Sequence, residues 1–452
     1  MSDDRAIAEA LDRARALAAR GDDAAQAAYL DILRRDPTHF DALNELGNLA
    51  YRTRHRAAAR TAYEQAIRHY PDRPLVRVNL GNLLMESGDV TTARVQYETA
   101  LAADPDFAPA HQGLARALTE LGEHAAAELH WQKGFAGHAI LRQPYRGTAS
   151  PVPVLLLASA KGGNIPTQNF LDDRIFEITV LYAEFYDPTQ PLPSHVLVFN
   201  AIGDADLCGE ALARAADIVV RTKAPIVNPP ARVATPGRVA NAHRLAPIAG
   251  VRAPAIRQVA RVALQAAPDF PYPLLLRAPG YHTGQHFVRV ERPEDFAAAA
   301  ANLPSDELLA IEYLDARGGD GMARKYRVMI IDGVLYPLHL AISRDWKVHY
   351  FSAAMADDAA YRVEERRFLE NMPAVLGKRA LAALSAIGRE LGLDYAGVDF
   401  ALAPDGSVLL FEANATMVIN PPEPDPIWDY RRAPIDRALD AAQRLLMSRV
   451  KR

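Results

Sequence analysis

Small and apolar residues recur along the first third of the chain at a shift of 34 residues. Leu46, Leu80 and Leu114 fall in step, as do Gly47, Gly81 and Ala115. So do Ala25, Ala59, Ala93 and Ala127, and Tyr29, Tyr63, Tyr97 and Trp131. Within each period the apolar positions follow helical spacing over two successive stretches. Each unit is therefore expected to be a pair of amphipathic helices, with small residues where the helices approach and an aromatic between them. Pro37, Pro71 and Pro105 close the units, because proline cannot continue a helix. Gly21, Gly88 and Gly122 fall in the turns between paired helices. The first unit departs by one residue in that turn and lacks the leucine-glycine pair, as a terminal cap does.

Past Trp131 the period fails, and residues 137–150, with Gly147, Pro144 and small residues, read as a linker. Apolar strands then alternate with helical stretches. Pro153–Ala160 is a strand ending in Lys161-Gly162-Gly163-Asn164, and His195–Ile202 is another ending in Gly203-Asp204-Ala205-Asp206. Helices are expected at Asp172–Ala183 and Gly209–Ala216, and a further strand at Ile218–Arg221. That order describes a small doubly wound sheet, whose strand-end loops are where ligands bind. Ordinary glycine turns are the alternative.

Hairpins dominate the remainder. Tyr272–Ala278 and His286–Val290 flank the glycine-bearing Pro279 to Gln285, and Leu308–Leu314 runs into a polar, glycine-rich loop. The next pair, beginning at Arg324, turns at Asp332-Gly333. Its alternation sets Lys325 and Arg327 on one face with Met329. Cations placed where apolar partners are expected need anions, or else form a salt-bridged outer face. In the last hairpin, Asp394–Leu402 pairs with Ser407–Asn414. Glu412 and Asn414 share a face, and Asp399 can lie across from them. Two carboxylates and an amide oxygen are the hard donors that magnesium takes, an exposed acidic hairpin being the alternative.

Composition narrows the partners. The 452 residues carry 51 basic and 55 acidic side chains, a formal net charge of -4, and half are hydrophobic. Large cores are available, and no global field favours nucleic acid or an anionic membrane. The single cysteine, Cys208, excludes an intramolecular disulfide and suits a reducing, cytoplasmic setting. Met1–Ala10 lacks the basic and then apolar run of a signal peptide, and no stretch is apolar enough to span a membrane.

These motifs carry two resemblances. The 34-residue units over residues 5–136 resemble the tetratricopeptide repeat. Residues 251–452, with 151–250 as the domain that precedes such folds, resemble the ATP-grasp superfamily. The most specific motif is Gly397-Val398-Asp399 with Glu412-Ala413-Asn414. Together they imply an all-α solenoid at 1–136, a linker at 137–150, an α/β pre-ATP-grasp domain at 151–250 and an α+β ATP-grasp fold at 251–452. The nucleotide lobe would span about 251–320 and the metal lobe about 321–452.

The ATP-grasp resemblance implies ATP and magnesium. Gly280, His282 and Gly284 would cover the phosphates. Backbone around Glu312, Tyr313 and Leu314 would meet adenine, and Asp320 the ribose. Arg327 would sit against the transferred phosphoryl group with Lys325 at the phosphates, and Asp399, Glu412 and Asn414 would hold the metal. The family's phosphate-binding lysines are replaced by Arg277 and, more loosely, Arg257 or Arg261. Asn420 is a candidate substrate contact, as are His339 and His349. The implied activity joins a small-molecule or peptide carboxylate to an amine through an acyl phosphate, with release of ADP. Phosphoryl transfer to a hydroxyl and a non-catalytic nucleotide-gated adaptor are the alternatives. On the repeats, Asn44, Asn48, Asn82 and Arg116 fall on the expected concave face. There they would grip a peptide or protein partner, or else form a solvated or homodimerising face.

Overall fold

The computed structural model describes residues 2–21, 23–234, 237–261, 270–279, 286–348, 353–423 and 425–451. The chain divides into two compact units, residues 1–148 with 185–187, and residues 149–184 with 188–452.

The first unit is helical. Paired helices follow one another as α1 (Ser2–Arg20) with α2 (Ala24–Arg35), α3 (Phe40–Arg52) with α4 (Arg56–His69), α5 (Pro74–Glu86) with α6 (Val90–Ala103), and α7 (Ala108–Glu120) with α8 (His124–Phe135). A short strand, β1 (Ile140–Arg142), follows. The periodic aromatics are the reason the pairs repeat: Tyr29, Tyr63 and Tyr97 are among the largest wholly buried side chains. The periodic glycines make room for them. A methyl group on Gly81 would lie 2.6 Å from a ring carbon of Tyr97, so only glycine lets α5 come this close to α6.

The second unit begins with a parallel sheet. Its strands β2 (Val152–Ala158), β3 (Phe176–Tyr182), β4 (Leu197–Asn200) and β5 (Ile226–Val227) run in the order β3-β2-β4-β5. Two sequence expectations are corrected here. Residues 172–183 do not form a helix: after a turn at Asp172, Phe176–Tyr182 is a strand, almost wholly buried. A strand buried on both faces is continuously apolar, and that run mimics one face of a helix. Ile218–Arg221 is no strand either, since Ile218 and Val219 end helix α9 (Gly209–Val219) and their branched side chains misled the reading. Helices α10 (Pro230–Ala234) and α11 (Arg238–Leu245) lead onward.

Among the described residues an antiparallel sheet follows, and then one that is antiparallel except for one edge strand. One contains β7 (Ile256–Ala260), β8 (Leu274–Arg277), β9 (Phe287–Val290) and β10 (Glu307–Glu312) in the order β7-β10-β8-β9, with α12 (Phe296–Ala301). The other contains β6 (Val251–Arg252), β11 (Ala323–Ile331), β12 (Val334–Ser343), β13 (Tyr395–Leu402) and β14 (Val408–Asn414) in the order β12-β11-β13-β14-β6, its edge strand β6 running parallel to β14. Helices α13 (Ala359–Glu370), α14 (Met372–Leu391) and α15 (Arg432–Val450) complete the unit. Past a kink at Gly377, Ala380, Ala383, Leu384, Ile387 and Leu391 form the buried stripe of α14, at the spacing that holds a helix against a sheet. Among the described residues no helix is long and apolar enough to cross a membrane.

Candidate functional site

The sheet around β11 and β13 carries a transverse row of charge. Arg327 on β11 lies opposite His339 on β12 and Asp399 on β13, and Asp399 in turn lies opposite Glu412 on β14. Lys325 is two residues from Arg327 and reaches the same carboxylate. Like charges directly opposed across strands are destabilising, so Asp399 beside Glu412 needs compensation. It comes from the neighbouring strand. Arg327 donates from Nε to Asp399 Oδ1 at 2.6 Å and from Nη2 to Oδ2 at 2.8 Å, and Lys325 Nζ stands 2.9 Å from Oδ2. Asp399 is only 2% exposed. Burial by itself would raise its carboxyl, but Arg327 and Lys325 overcome this and hold it far below the usual carboxylate range. Burial, and then the Arg327 cation, push the imidazole of His339 well down, so it is neutral near pH 7.

All of these groups line one cavity of about 510 Å³. Its apolar end is a slot between Phe287, Tyr313, Trp346, Leu275 and Phe411. Phe287 and Trp346 meet edge to face at 5.5 Å, and the Arg289 guanidinium lies 4.3 Å over the Tyr313 ring. Arg277, Lys325, Arg327 and Lys347 also line the cavity, with Arg277 5.7 Å over the Phe287 ring. Its polar end is formed by Gly163, Asn164, Asp204, Thr416 and Asn420. Asn164 secures that end by accepting from the Ser159 amide at 2.8 Å and donating to the Ser159 carbonyl at 2.7 Å.

Most of the residues singled out in the sequence are thus brought together: Arg277, Glu312, Tyr313, Leu314, Lys325, Arg327, His339, Asp399, Glu412, Asn414 and Asn420. Gly280, His282, Gly284 and His349 lie outside the described residues. Arg257 and Asp320 stand elsewhere than expected. Arg257 faces away from the cavity, because its cross-strand partner is Ala310, paired in turn with Leu276, and both belong to the core on the other side of that sheet. Its guanidinium lies over Phe270 of the same core at 5.3 Å. Asp320 is exposed and does not line the cavity. Both its oxygens are held by Arg324, at 2.9 and 2.8 Å, which lowers its carboxyl to about 2. The aromatic slot went unseen in the sequence. Its signal was Phe287 alternating with Arg289 in β9, and a tryptophan followed by lysine, Trp346-Lys347, just past β12.

As folded, the three metal-ligand candidates bond to protein groups. Asn414 Nδ2 donates to Glu412 Oε1 at 2.9 Å, and Asn414 Oδ1 accepts from the amide and hydroxyl of Thr416 at 3.0 and 2.9 Å. Among the described residues no three His, Cys, Asp or Glu side chains are grouped to hold a metal. The donor chemistry nonetheless fits a hard cation, since two carboxylates and an amide share one cavity wall.

Comparison with known proteins bears on the first unit. One tetratricopeptide-repeat family model matches residues 11–74 and 44–98, and a second matches residues 84–130. The first unit is a tetratricopeptide-repeat array. Similar solved structures include MamA from Desulfovibrio magneticus, 21% identical over 29% of this chain and 74% of that one, with a TM-score of 0.27. Another is a tetratricopeptide repeat protein from Parabacteroides merdae, 20% identical over 30% of this chain and 54% of that one, also with a TM-score of 0.27. Comparison with curated proteins gives no match.

In the tetratricopeptide-repeat array the asparagines expected to face a partner are largely committed inward. Tyr63 donates to Asn48 Oδ1 at 2.9 Å, and Tyr97 to Asn82 Oδ1 at 2.8 Å. Asn79 donates to Asn44 Oδ1 at 2.8 Å, and Asn44 is buried. The repeat explains it: an asparagine stands 15 residues ahead of Tyr63 and of Tyr97, where the buried hydroxyl needs an acceptor, while Ala14 holds that position ahead of Tyr29. At the next such position the ring is Trp131, and the asparagine gives way to Arg116, exposed and 3.7 Å from Glu120.

Proposed function

We propose that the second unit is an ATP-dependent carboxylate-amine ligase of the ATP-grasp kind. The observation that carries this reading is a single cavity joining an aromatic slot, a cationic wall and a carboxylate-amide triad. In this reading the base of ATP lies in the slot among Phe287, Tyr313 and Trp346, beside the β10 end at Glu312 to Leu314. Arg277, Lys347 and Lys325 bind the phosphates. Lys347 supplies the kind of point charge that Arg277 does not. Asp399, Glu412 and Asn414 would hold magnesium, which when bound neutralises charge on the phosphates.

The chemistry follows. A substrate carboxylate oxygen attacks the γ-phosphorus, and the bond to the bridging oxygen breaks with release of ADP. Arg327 offers a planar fork to the charge that gathers on the transferring group. The amine nitrogen then attacks the acyl carbon, inorganic phosphate leaves and the amine proton is lost. Thr416, Asn420 and Asn164 at the polar end orient the second substrate.

The decisive experiment is ADP release screened against pairs of carboxylates and amines, with Asp399→Ala and Glu412→Ala as controls. Pair-dependent release in the native chain, lost in both variants, is the expected outcome. Release that persists in both variants would falsify the assignment. One observation favours a second reading, a nucleotide-gated adaptor: both oxygens of Asp399 are already taken by cations. ATP binding without turnover across the whole panel decides for the adaptor.

Tetratricopeptide arrays present surfaces for protein partners, and we propose that this one brings a peptide or protein to the ligase, Arg116 and the exposed edge of Asn82 being the outward polar groups. If deleting residues 1–136 leaves turnover of the true substrate unchanged, that role is lost.

A further inference from the structure

We propose that Lys325, Arg327 and Asp399 form an exchange lock, which makes the binding of a divalent cation at this wall conditional on a polyphosphate. The proposal rests on the nucleotide reading of the cavity and concerns how that site is gated.

Two cations and two carboxylates, Lys325, Arg327, Asp399 and Glu412, balance one another with nothing bound. The contacts are saturated: three charged N–H donors meet the two oxygens of Asp399. A divalent cation arriving alone must displace donors from Asp399 and then sit beside Lys325 and Arg327. In a wall this buried, repulsion between like charges is poorly screened. A polyphosphate arriving alone meets the opposite obstacle, Asp399 and Glu412. Arriving together, each removes the other's obstacle. The cations turn from the carboxylate to the phosphates, and Asp399 is released to the metal. The side chains permit such a move, because those of Lys325 and Arg327 are 14% and 21% exposed while that of Asp399 is 3% exposed. The coupling is reciprocal by thermodynamic necessity, so either ligand must tighten the other.

The lock makes a prediction that an ordinary metal site does not: deleting a cation tightens metal binding. Free Mn²⁺ is followed by electron paramagnetic resonance as it is titrated into the full-length chain without nucleotide. Lys325→Met is expected to bind Mn²⁺ at least about ten-fold more tightly than the native chain. The neutral, polar Lys325→Gln should do the same, which guards against a packing artefact of methionine. Adding Asp399→Asn to either variant should abolish the gain and so separate this site from surface carboxylates. Equal Mn²⁺ affinity in the native chain and both lysine variants overturns the lock, as does a gain that survives Asp399→Asn. In parallel, ATP with Mg²⁺ is titrated against tryptophan fluorescence, with Trp346→Phe as control. Quenching that depends on Trp346, without any Mn²⁺ difference, sinks the lock and leaves the nucleotide reading standing. A gain in Mn²⁺ affinity without quenching supports the cation balance at Asp399 and sinks the nucleotide reading.

Discussion

Asp399 is the residue on which the candidate site turns, because it is buried, opposed to another carboxylate and held by two cations. Removing one partner of a buried ionic cluster leaves the rest uncompensated, which typically costs about 3–5 kcal/mol. Asp399→Asn is therefore expected to lower the thermal midpoint of the second unit by several degrees. The sign of its pH dependence follows from the depressed carboxyl. A group whose folded pKa lies below its unfolded value contributes stability above the unfolded value, about 3.9 for aspartate, and loses it as pH falls through the folded one. The deficit of the variant should accordingly be flat from pH 5 to pH 8 and shrink only at strongly acid pH. A deficit that changes within pH 5 to 8, in melts of native and variant chains side by side, would assign the effect to another group. At this scale the sequence was legible where period two puts charge on a face, as with Lys325 and Arg327. It was silent where the choice of face depends on strand pairing, which turned Arg257 toward Phe270.

Elements were legible in proportion to how locally their pattern is set. The repeat helices follow from a period written in every unit, and the hairpins around Asp332-Gly333 and Asp405-Gly406 from turn residues whose glycines take positive φ, 78° and 76°. The strand Phe176–Tyr182 was missed because its identity is decided by a neighbour, β2, distant in sequence. Packing between repeat helices yields a sharper test. Added methyl groups at Gly81 and Gly113 would lie 2.6 and 2.3 Å from Tyr97 ring carbons. Gly81→Ala is expected to destabilise the array by about 1–3 kcal/mol through overpacking. Tyr97→Leu destabilises by itself, yet it removes the ring that the new methyl strikes. The double variant should therefore be more stable than the sum of the single changes, by a coupling within the roughly 0.5–3 kcal/mol range of contacting residues. Urea denaturation of the four chains, read by hydrogen exchange in α5, α6 and α7, measures it. Strict additivity would place the clash elsewhere.

At the scale of the whole molecule each unit offers its own lever, protons in the array and, on the proposed function, nucleotide in the second unit. In the array, His111 Nδ1 and His130 Nδ1 meet at 2.7 Å, and His111 Nε2 bonds the Pro105 carbonyl at 2.9 Å. Since His111 Nε2 donates to that carbonyl, its Nδ1 accepts, and the N–H between the two rings belongs to His130 Nδ1. Burial first, then His111 and Lys133, lower the imidazole of His130, while Glu98 opposes them. A histidine whose folded pKa is depressed stabilises fully above its unfolded value, about 6.5, and loses that contribution as pH falls through the folded one. Moving from pH 7.5 to pH 5.5 should therefore raise hydrogen exchange in α7 and α8, and His130→Gln should flatten the response. On the proposed function, ATP with Mg²⁺ at a hundred times its dissociation constant should stabilise the second unit by about 2.7 kcal/mol, as any ligand of the folded form alone does. Slower exchange is expected in β11, β13 and β14, where Arg327, Asp399 and Glu412 stand opposed. Peptide-resolved exchange under the four combinations of pH and nucleotide separates the levers. Protection by nucleotide confined to α7 and α8, with β13 unchanged, would place the nucleotide on the repeats and remove the argument for a ligase in the second unit.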